Sequence, residues 1–207
     1  MLIESLPAFF AASVLLGLSP GPDNLFVMMQ SAMHGRGAGL RVVLGLCTGL
    51  LVHTAAVAAG LAALFAASEL AFRLLKAAGA FYLLWLAWQA IRAPVDEVPG
   101  AEAPALGGWA LYRRGVVMNL TNPKVSIFFL AFLPQFADPG RGSVALQIVV
   151  LGVVFIVATL IVFGAIAWFA GLLGALLRRS RATRRALNLG AAAVFIALAA
   201  RLALAER

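Results

Sequence analysis

Charged residues and cysteine are both scarce in this chain of 207 residues. Only 12% of the residues are charged, against about 25% in a typical soluble domain, and 63% are hydrophobic. The single cysteine, Cys47, excludes a disulfide framework, a Cys-x-x-Cys redox pair and a multi-cysteine metal site. With a mean hydropathy of +1.00, the composition excludes a soluble globule and a disordered polyelectrolyte. It predicts a protein that folds in a lipid bilayer.

Long apolar runs follow one another along the whole chain. A helix needs about 20 apolar residues to cross the hydrocarbon core. We therefore predict an all-α membrane protein with six transmembrane helices. The connection at about 93–111 is rich in proline, glycine and acidic residues, which indicates a water-exposed loop. We treat 1–207 as one transmembrane domain with two halves, about 1–92 and about 112–207. The six apolar segments lie at about 5–33, 42–67, 71–91, 112–137, 144–177 and 186–204.

The basic residues are distributed unevenly between the two sides of such a six-span arrangement. Ten lysines and arginines fall on one side and five on the other. The positive-inside rule places the richer side in the cytoplasm and both termini in the periplasm. The basic run at 178–185 has an alternative interpretation as a nucleic-acid or lipid-headgroup site. Topology explains these charges without any partner, so we expect no nucleic-acid binding.

The two halves repeat the same order of features. Each has a proline and a charged residue inside its first apolar segment, at 19–24 and 119–124, and then a Gly-Arg-Gly turn at 35–37 or 140–142. A Leu-Gly pair (44–45, 151–152) and a Gly-Ala pair (79–80, 190–191) follow. Three spans per half predict an inverted-topology repeat, which favours alternating access around a site near the bilayer midplane. Chance similarity between helices rich in Ala, Leu and Gly is the alternative.

The first and fourth segments are predicted to break near the bilayer midplane. Ser19-Pro20-Gly21-Pro22 cannot continue a helix, because proline removes an N–H donor and its ring clashes with the preceding turn. Asn122-Pro123 creates the same opportunity in the fourth segment. A half-helix that begins near Pro22 offers unpaired N–H groups to a substrate carboxylate. A proline kink with only a packing role is the alternative.

Asp23 and Lys124 are the only acid and base deep inside predicted spans, and they occupy matched positions. An unpaired charge at the bilayer centre costs about 2.5–3.5 kcal/mol, so they should pair with each other, bind a ligand or face water. A zwitterionic amino acid complements both, while a fixed salt bridge is the structural alternative. His53 lies near the middle of the second segment, and its ordinary pKa of about 6.5 suits proton exchange. Asp23 and His53 are our candidates for proton coupling, although a lone histidine is more often a hydrogen-bonded packing residue.

These residues give the chain a family likeness. It resembles the LysE/RhtB family of bacterial amino-acid exporters, in particular the homoserine and threonine exporter branch. The likeness rests on the motifs at 19–24, 35–37, 79–83 and 122–124, with Phe128-Phe129 and the motif at 134–136, and it covers nearly the whole chain.

The resemblance implies an inner-membrane exporter of amino acids or close derivatives. It further implies proton antiport, assembly as a homo-oligomer, and neither enzymatic activity nor a cofactor. It makes eight residues the candidates for substrate binding: Pro20, Gly21, Pro22, Asp23, Asn24, Asn122, Pro123 and Lys124.

Two other classes of function compete with export of amino acids. A small-ion exporter would take Asp23, Asn24, Asn122 and His53 as ligands for a metal cation, but Lys124 would repel the ion and acidic ligands are few. An intramembrane enzyme would need a nucleophile and a base, yet the sequence has no Gly-x-Ser-x-Gly elbow and no His-Glu-x-x-His motif. We therefore expect a transporter without a bound metal.

Overall fold

The computed structural model describes residues 2–19, 21–67, 69–92, 106–170, 172 and 181–204. Pro20, residues 93–105 of the predicted loop, and Arg178 and Arg179 lie outside the described residues. The described part forms eight α-helices and contains no strand, which confirms the all-α class. The helices are α1 (Leu2–Leu18), α2 (Pro22–His34), α3 (Arg36–Ala67), α4 (Glu69–Arg92), α5 (Gly108–Thr121), α6 (Pro123–Ile127), α7 (Val144–Trp168) and α8 (Arg181–Leu204).

The first apolar segment is broken where its prolines predict. Helix α1 ends at Leu18, and α2 begins at Pro22 after Gly21 in extended conformation. Proline suits this first helical position because its missing N–H would have no partner there in any case. The first segment therefore consists of two half-helices in sequence.

The fourth segment is also broken at its proline. Asn122 is extended between α5 and Pro123, and the chain bends by 51° between Gly108–Thr121 and Pro123–Phe136. After α6 the chain continues as a π-helix (Phe128–Phe132), followed by 3-10 helices at Leu133–Phe136 and Pro139–Arg141. The π-helix buries Phe128, Phe129 and Phe132 in the main aromatic cluster. Both predicted breaks are thus present in the folded chain.

Two described helices are long and apolar enough to cross a membrane, over Arg36–Gly60 and Val144–Trp168. The bent pair Gly108–Thr121 and Pro123–Phe136 adds a third span if it is counted as one. Leu6–Leu18 and Arg185–Ala200 are shorter apolar helices. Helices with the length and composition of membrane spans are therefore present, while the arrangement of six spans stays a prediction.

Helix α3 packs against α5 through glycine. A methyl group at Gly45 would clash with the Tyr112 carbonyl, and one at Gly115 would clash with the Val42 carbonyl. Small residues allow such close helix crossings in membrane proteins, where van der Waals packing rather than transfer out of water joins the helices. Tyr112 Oη donates a hydrogen bond of 3.0 Å to Thr48 Oγ1 at the same crossing.

The main helix contacts relate the two halves of the chain. Helix α3 packs against α7, and α4 packs against α8, so the corresponding long helices of each half meet. Helix α1 packs against α7 of the other half, and its counterpart α5 packs against α3, which is the counterpart of α7. Counting each broken segment as one element, these main contacts keep their partners when the two halves are exchanged.

Two of the motifs matched in the sequence are not structurally equivalent. Gly45 faces α5, whereas Gly152 packs against Thr54 of α3. Gly79 is buried, whereas Gly190 is exposed. The Leu-Gly and Gly-Ala pairs therefore give no support to the repeat, because the same dipeptide faces different neighbours in each half.

Arginine contacts join segments that the charge count assigns to one side. The Arg36 guanidinium lies 4.2 Å from the ring centre of Trp168 at the end of α7. Arg41 lies beside Gly108 at the start of α5. Arg185 donates a hydrogen bond of 3.4 Å to the Ile91 carbonyl, which joins the end of α4 to the start of α8. We call the region where α3 and α5 begin and α7 ends the basic end.

Replacement of Gly45 by alanine should weaken the α3–α5 crossing. The added methyl meets backbone that cannot move aside, so we expect a loss of about 1–3 kcal/mol in unfolding free energy. Gly164→Ala in α7 is the matched control, because nothing lies within 4 Å of its added methyl. Helix propensity should make this control neutral or stabilising by up to about 1 kcal/mol. Thermal unfolding in detergent measures both, and equal stability of the two variants would contradict the close crossing.

Candidate functional site

The two breaks are joined by one side-chain amide. Asn122 Nδ2 donates to Asp23 Oδ2 at 2.7 Å, although 99 positions separate the two residues. Asn122 Oδ1 accepts from the Lys124 backbone N–H at 3.0 Å, which makes Asn122 the N-cap of α6. Asp23 and Asn122 are 4% and 6% exposed. A single buried amide thus caps one half-helix and binds the carboxylate of the other.

Lys124 is held by the end of α1. Its Nζ donates to the carbonyls of Leu16 at 3.3 Å and Ser19 at 3.1 Å. The usual helical partner of the Leu16 carbonyl would be the N–H of residue 20, which is a proline and has none. A helix C-terminus also carries partial negative charge, so it stabilises the ammonium.

The described residues contain no direct ion pair between Lys124 and Asp23 within 4.0 Å. The structural alternative of a fixed salt bridge is therefore wrong for this conformation. The two charges are instead connected through Asn122, which binds the Asp23 carboxylate and the Lys124 backbone.

Asn24 and Gly21 complete the contacts around the first break. Asn24 Nδ2 donates to the Gly17 carbonyl at 2.7 Å and so satisfies another acceptor at the end of α1. A methyl group at Gly21 would lie 3.4 Å from Lys124 Nζ, an ordinary contact distance, so Gly21 lies directly beside the lysine. The break in one half thus lies against the lysine of the other.

A small cavity lies between these residues. Its volume is about 20 Å³, which is room for one water molecule rather than for an amino acid. Asp23 and Asn119 both line it, and each has a buried oxygen, Oδ1, with no hydrogen-bond partner among the described residues. Asn119 Oδ1 lies beside Gly49 of α3. The cavity is lined by Leu16, Gly17, Asp23, Leu46, Asn119, Lys124, Val125, Phe155, Thr159 and Phe163.

The unpartnered atoms give the site a chemical preference. Carboxylate and amide oxygens only accept hydrogen bonds, and Asn24 Oδ1 is a third buried oxygen of this kind. Such a set suits a donor-rich cation such as a substrate ammonium. The present cavity is too small for an amino acid, and we call this conformation the closed form.

Most of the residues predicted for the site contribute to this arrangement. Gly21, Asp23, Asn24, Asn122 and Lys124 are brought together by the contacts given above. Pro22 and Pro123 are exposed and begin the two half-helices, so they shape the backbone rather than line the cavity. Pro20 lies outside the described residues.

Three other polar residues bear on the prediction. His53 is not among the cavity residues; its Nε2 lies 3.4 Å from the Asn119 carbonyl, and its ring packs near Phe129. Asn119 and Thr159 line the cavity but were not predicted as binding residues. Asn119 lies within the matched motif at 119–124, which is the signal that marks it. Thr159 carries no such signal, because an isolated threonine in an apolar helix is common.

A family comparison agrees with the resemblance found in the sequence. The profile described as LysE type translocator matches residues 14–206. The chain belongs to this family.

Several curated relatives of this LysE-type translocator are known. The homoserine/homoserine lactone efflux protein of Salmonella typhimurium is 38% identical over 201 residues, which is 96% of each chain. An uncharacterized membrane protein of Vibrio cholerae is 35% identical over 171 residues, or 83% of each chain. The leucine efflux protein of Klebsiella pneumoniae is 31% identical over 131 residues, or 63% of this chain and 62% of the relative. No solved structure gives a significant match.

Exchange of the Asp23 and Asn122 side chains tests the hydrogen bond that joins the two broken segments of this translocator. Asn122→Asp keeps an oxygen to cap α6 but places a second carboxylate against Asp23. We expect a loss of about 1–3 kcal/mol in stability, because a buried acceptor loses its donor. Asp23→Asn combined with Asn122→Asp restores a donor and an acceptor in reverse order, so the double variant should regain most of the loss. Thermal unfolding of the four proteins measures the coupling, and additive losses would exclude the direct bond.

Proposed function

We propose that this LysE-type translocator exports amino acids or close derivatives from the cytoplasm across the bacterial inner membrane. Two relatives named for efflux of homoserine and of leucine support this substrate class. The observation that carries the proposal is the buried Asn122–Asp23 hydrogen bond, which joins two broken apolar segments beside a cavity with free acceptors. Discontinuous helices with ionisable residues are the usual site architecture of secondary transporters.

The transport cycle proposed here is alternating access. The two halves form inverted repeats of three spans each, with both termini in the periplasm and the basic end in the cytoplasm. The exchange-symmetric helix contacts support this arrangement. Assembly as a homo-oligomer stays a prediction from the family resemblance.

The substrate binds in a defined orientation. Its ammonium lies against the free oxygens of Asp23 and Asn119, which accept hydrogen bonds. Its carboxylate binds Lys124 Nζ and replaces the carbonyls of Leu16 and Ser19. Substrate binding therefore releases Lys124 from the end of α1, so occupancy is linked to the position of that helix.

Proton entry drives the export. Movement of one charge through the membrane potential supplies about 2.3 kcal/mol per 100 mV, so one proton at about 150 mV supplies roughly 3.5 kcal/mol. This free energy sustains a concentration ratio of a few hundredfold. Asp23 receives the proton when the ammonium leaves, and His53 is the second candidate because it contacts the Asn119 backbone next to the site.

Export of a small cation is less well supported. The ammonium of Lys124 lies against the same break, where it repels a metal ion. The described residues contain no group of three or more His, Cys, Asp or Glu side chains that could hold a metal.

Counterflow in proteoliposomes tests the proposed function. Vesicles preloaded with the twenty amino acids and homoserine should exchange a subset that includes homoserine, and a pH gradient should make the exchange concentrative. Asp23→Asn and Lys124→Gln should each abolish concentrative transport, because each removes a charge that binds one end of the substrate. Thr121→Ala is the control, since Thr121 is exposed and bonds to its own helix. Unchanged transport by both charge variants would exclude this site.

The acceptor-rich cavity predicts selectivity for a free ammonium group. Unlabelled homoserine should compete with labelled substrate, because it carries both the ammonium and the carboxylate that the proposed orientation requires. N-acetylhomoserine should compete at least about tenfold less well, because acetylation removes the positive charge and two donors. Inhibition of uptake measures the difference. Equal competition by the acetylated compound would contradict the orientation proposed above.

A further inference from the structure

Helix α2 carries a buried polar side chain that the cavity does not use. Gln30 is 0% exposed, and neither its Nε2 nor its Oε1 has a hydrogen-bond partner among the described residues. Nearly all buried polar groups in folded proteins are hydrogen-bonded. An amide with two unpartnered ends therefore indicates that it is paired in another state or with a molecule absent from the closed form.

The position of Gln30 relates it to Asp23. Seven residues separate the two, which places them on one face of α2, about two turns or about 10 Å apart. Val27 lies between them on this face, and His34 follows Gln30 by another four residues. His34 is exposed at the end of α2, next to Gly35 and the basic end. One helix face thus runs from the buried cavity to the surface.

The same face is closed by apolar packing. Val27 is fully buried in a cluster with Val42, Val43 and Leu46 of α3 and with Val162 of α7. Ser31 Oγ occupies the space that Gly39 leaves on α3, and it too has no hydrogen-bond partner among the described residues. Gln30 and Ser31 are therefore buried polar side chains, unpartnered among the described residues, on a helix that packs mainly against α3 and α7. Separation of α2 from α3 would bring water to both side chains.

We propose that Gln30 lines the passage by which substrate reaches the Asp23 cavity from the basic end. When the passage opens, its amide hydrogen-bonds the polar groups of the passing amino acid; when the passage closes, Val27 seals it and the amide is buried. This inference rests on the proposed function, because it assigns a second substrate contact to the same transporter. A purely stabilising role for Gln30 is excluded, because a buried amide without hydrogen-bond partners lowers the stability of the fold.

Replacement of Gln30 by leucine distinguishes an effect on transport from an effect on stability. Gln30→Leu removes the buried amide without opening a large cavity, so the thermal unfolding temperature should stay the same or rise. Homoserine counterflow should fall by about tenfold, because a hydrogen bond to the substrate is lost. Gln147→Leu is the matched control, since Gln147 is also buried but bonds the Asp138 backbone through both ends of its amide. The control should lose stability and keep its transport rate per folded molecule. Lower stability of Gln30→Leu, or full transport by it, would overturn the proposal.

Thiol labelling tests access directly. Gln30→Cys in a Cys47→Ala background should react with a membrane-impermeant thiosulfonate supplied at the basic end, and homoserine should slow the reaction. Leu83→Cys, buried in the main core cluster on α4 and away from the α2–α3 contact, should not react. If Gln30→Cys is as inert as Leu83→Cys while the parent protein still transports homoserine, the passage lies elsewhere and only this inference fails. If the parent protein transports none of the amino acids, the proposed function fails with it.

Discussion

A broken helix inside a membrane must satisfy its freed backbone groups from within the protein, because lipid offers no hydrogen-bond partners. Pro20 leaves the Leu16 carbonyl without a helical N–H, and Lys124 from the other half donates to it. Asn24 does the same for the Gly17 carbonyl. The hydrogen bonds that complete α1 are therefore the bonds that form the site. Disruption of the site and damage to the fold are linked for this reason.

The charges are arranged so that each rests on a helix end of opposite sign. Lys124 lies on the C-terminal end of α1, and Asp23 lies in the first turn of α2, where the helix dipole is positive. A direct salt bridge would leave these helix ends less satisfied. Because Asn122 binds only one oxygen of Asp23, the other stays free in the cavity. The site therefore holds both charges at helix ends and still keeps unpartnered acceptors.

The sequence predicts the local chemistry well and the tertiary contacts poorly. Both breaks were predicted, because the effect of proline on a helix depends only on neighbouring residues. The cost of isolated charges in lipid predicted that Asp23 and Lys124 would each have a partner, and both have one beside the breaks. The hydrogen bonds of Asn122 to both breaks, and the position of Thr159 in the cavity lining, depend on which faces of the helices pack together. The hydropathy pattern does not encode those contacts. The Leu-Gly and Gly-Ala pairs are not structurally equivalent in the two halves for the same reason, since a dipeptide does not specify which residues of another helix it contacts.

A ligand can shift the balance between two conformations only through contacts that differ between them. In the closed form, Lys124 Nζ binds two backbone carbonyls, and a substrate carboxylate would offer the same ammonium an equivalent pair of acceptors. This exchange would keep the ammonium of Lys124 compensated, so release of α1 would leave two backbone carbonyls unpaired rather than a buried charge. Helix α2 affects the stability of the closed form in two opposite ways. Its apolar contacts around Val27 stabilise the closed form, whereas the buried, unpartnered amide of Gln30 destabilises it. A transporter requires conformations of nearly equal free energy, because a conformation that is much more stable than the other would trap its substrate.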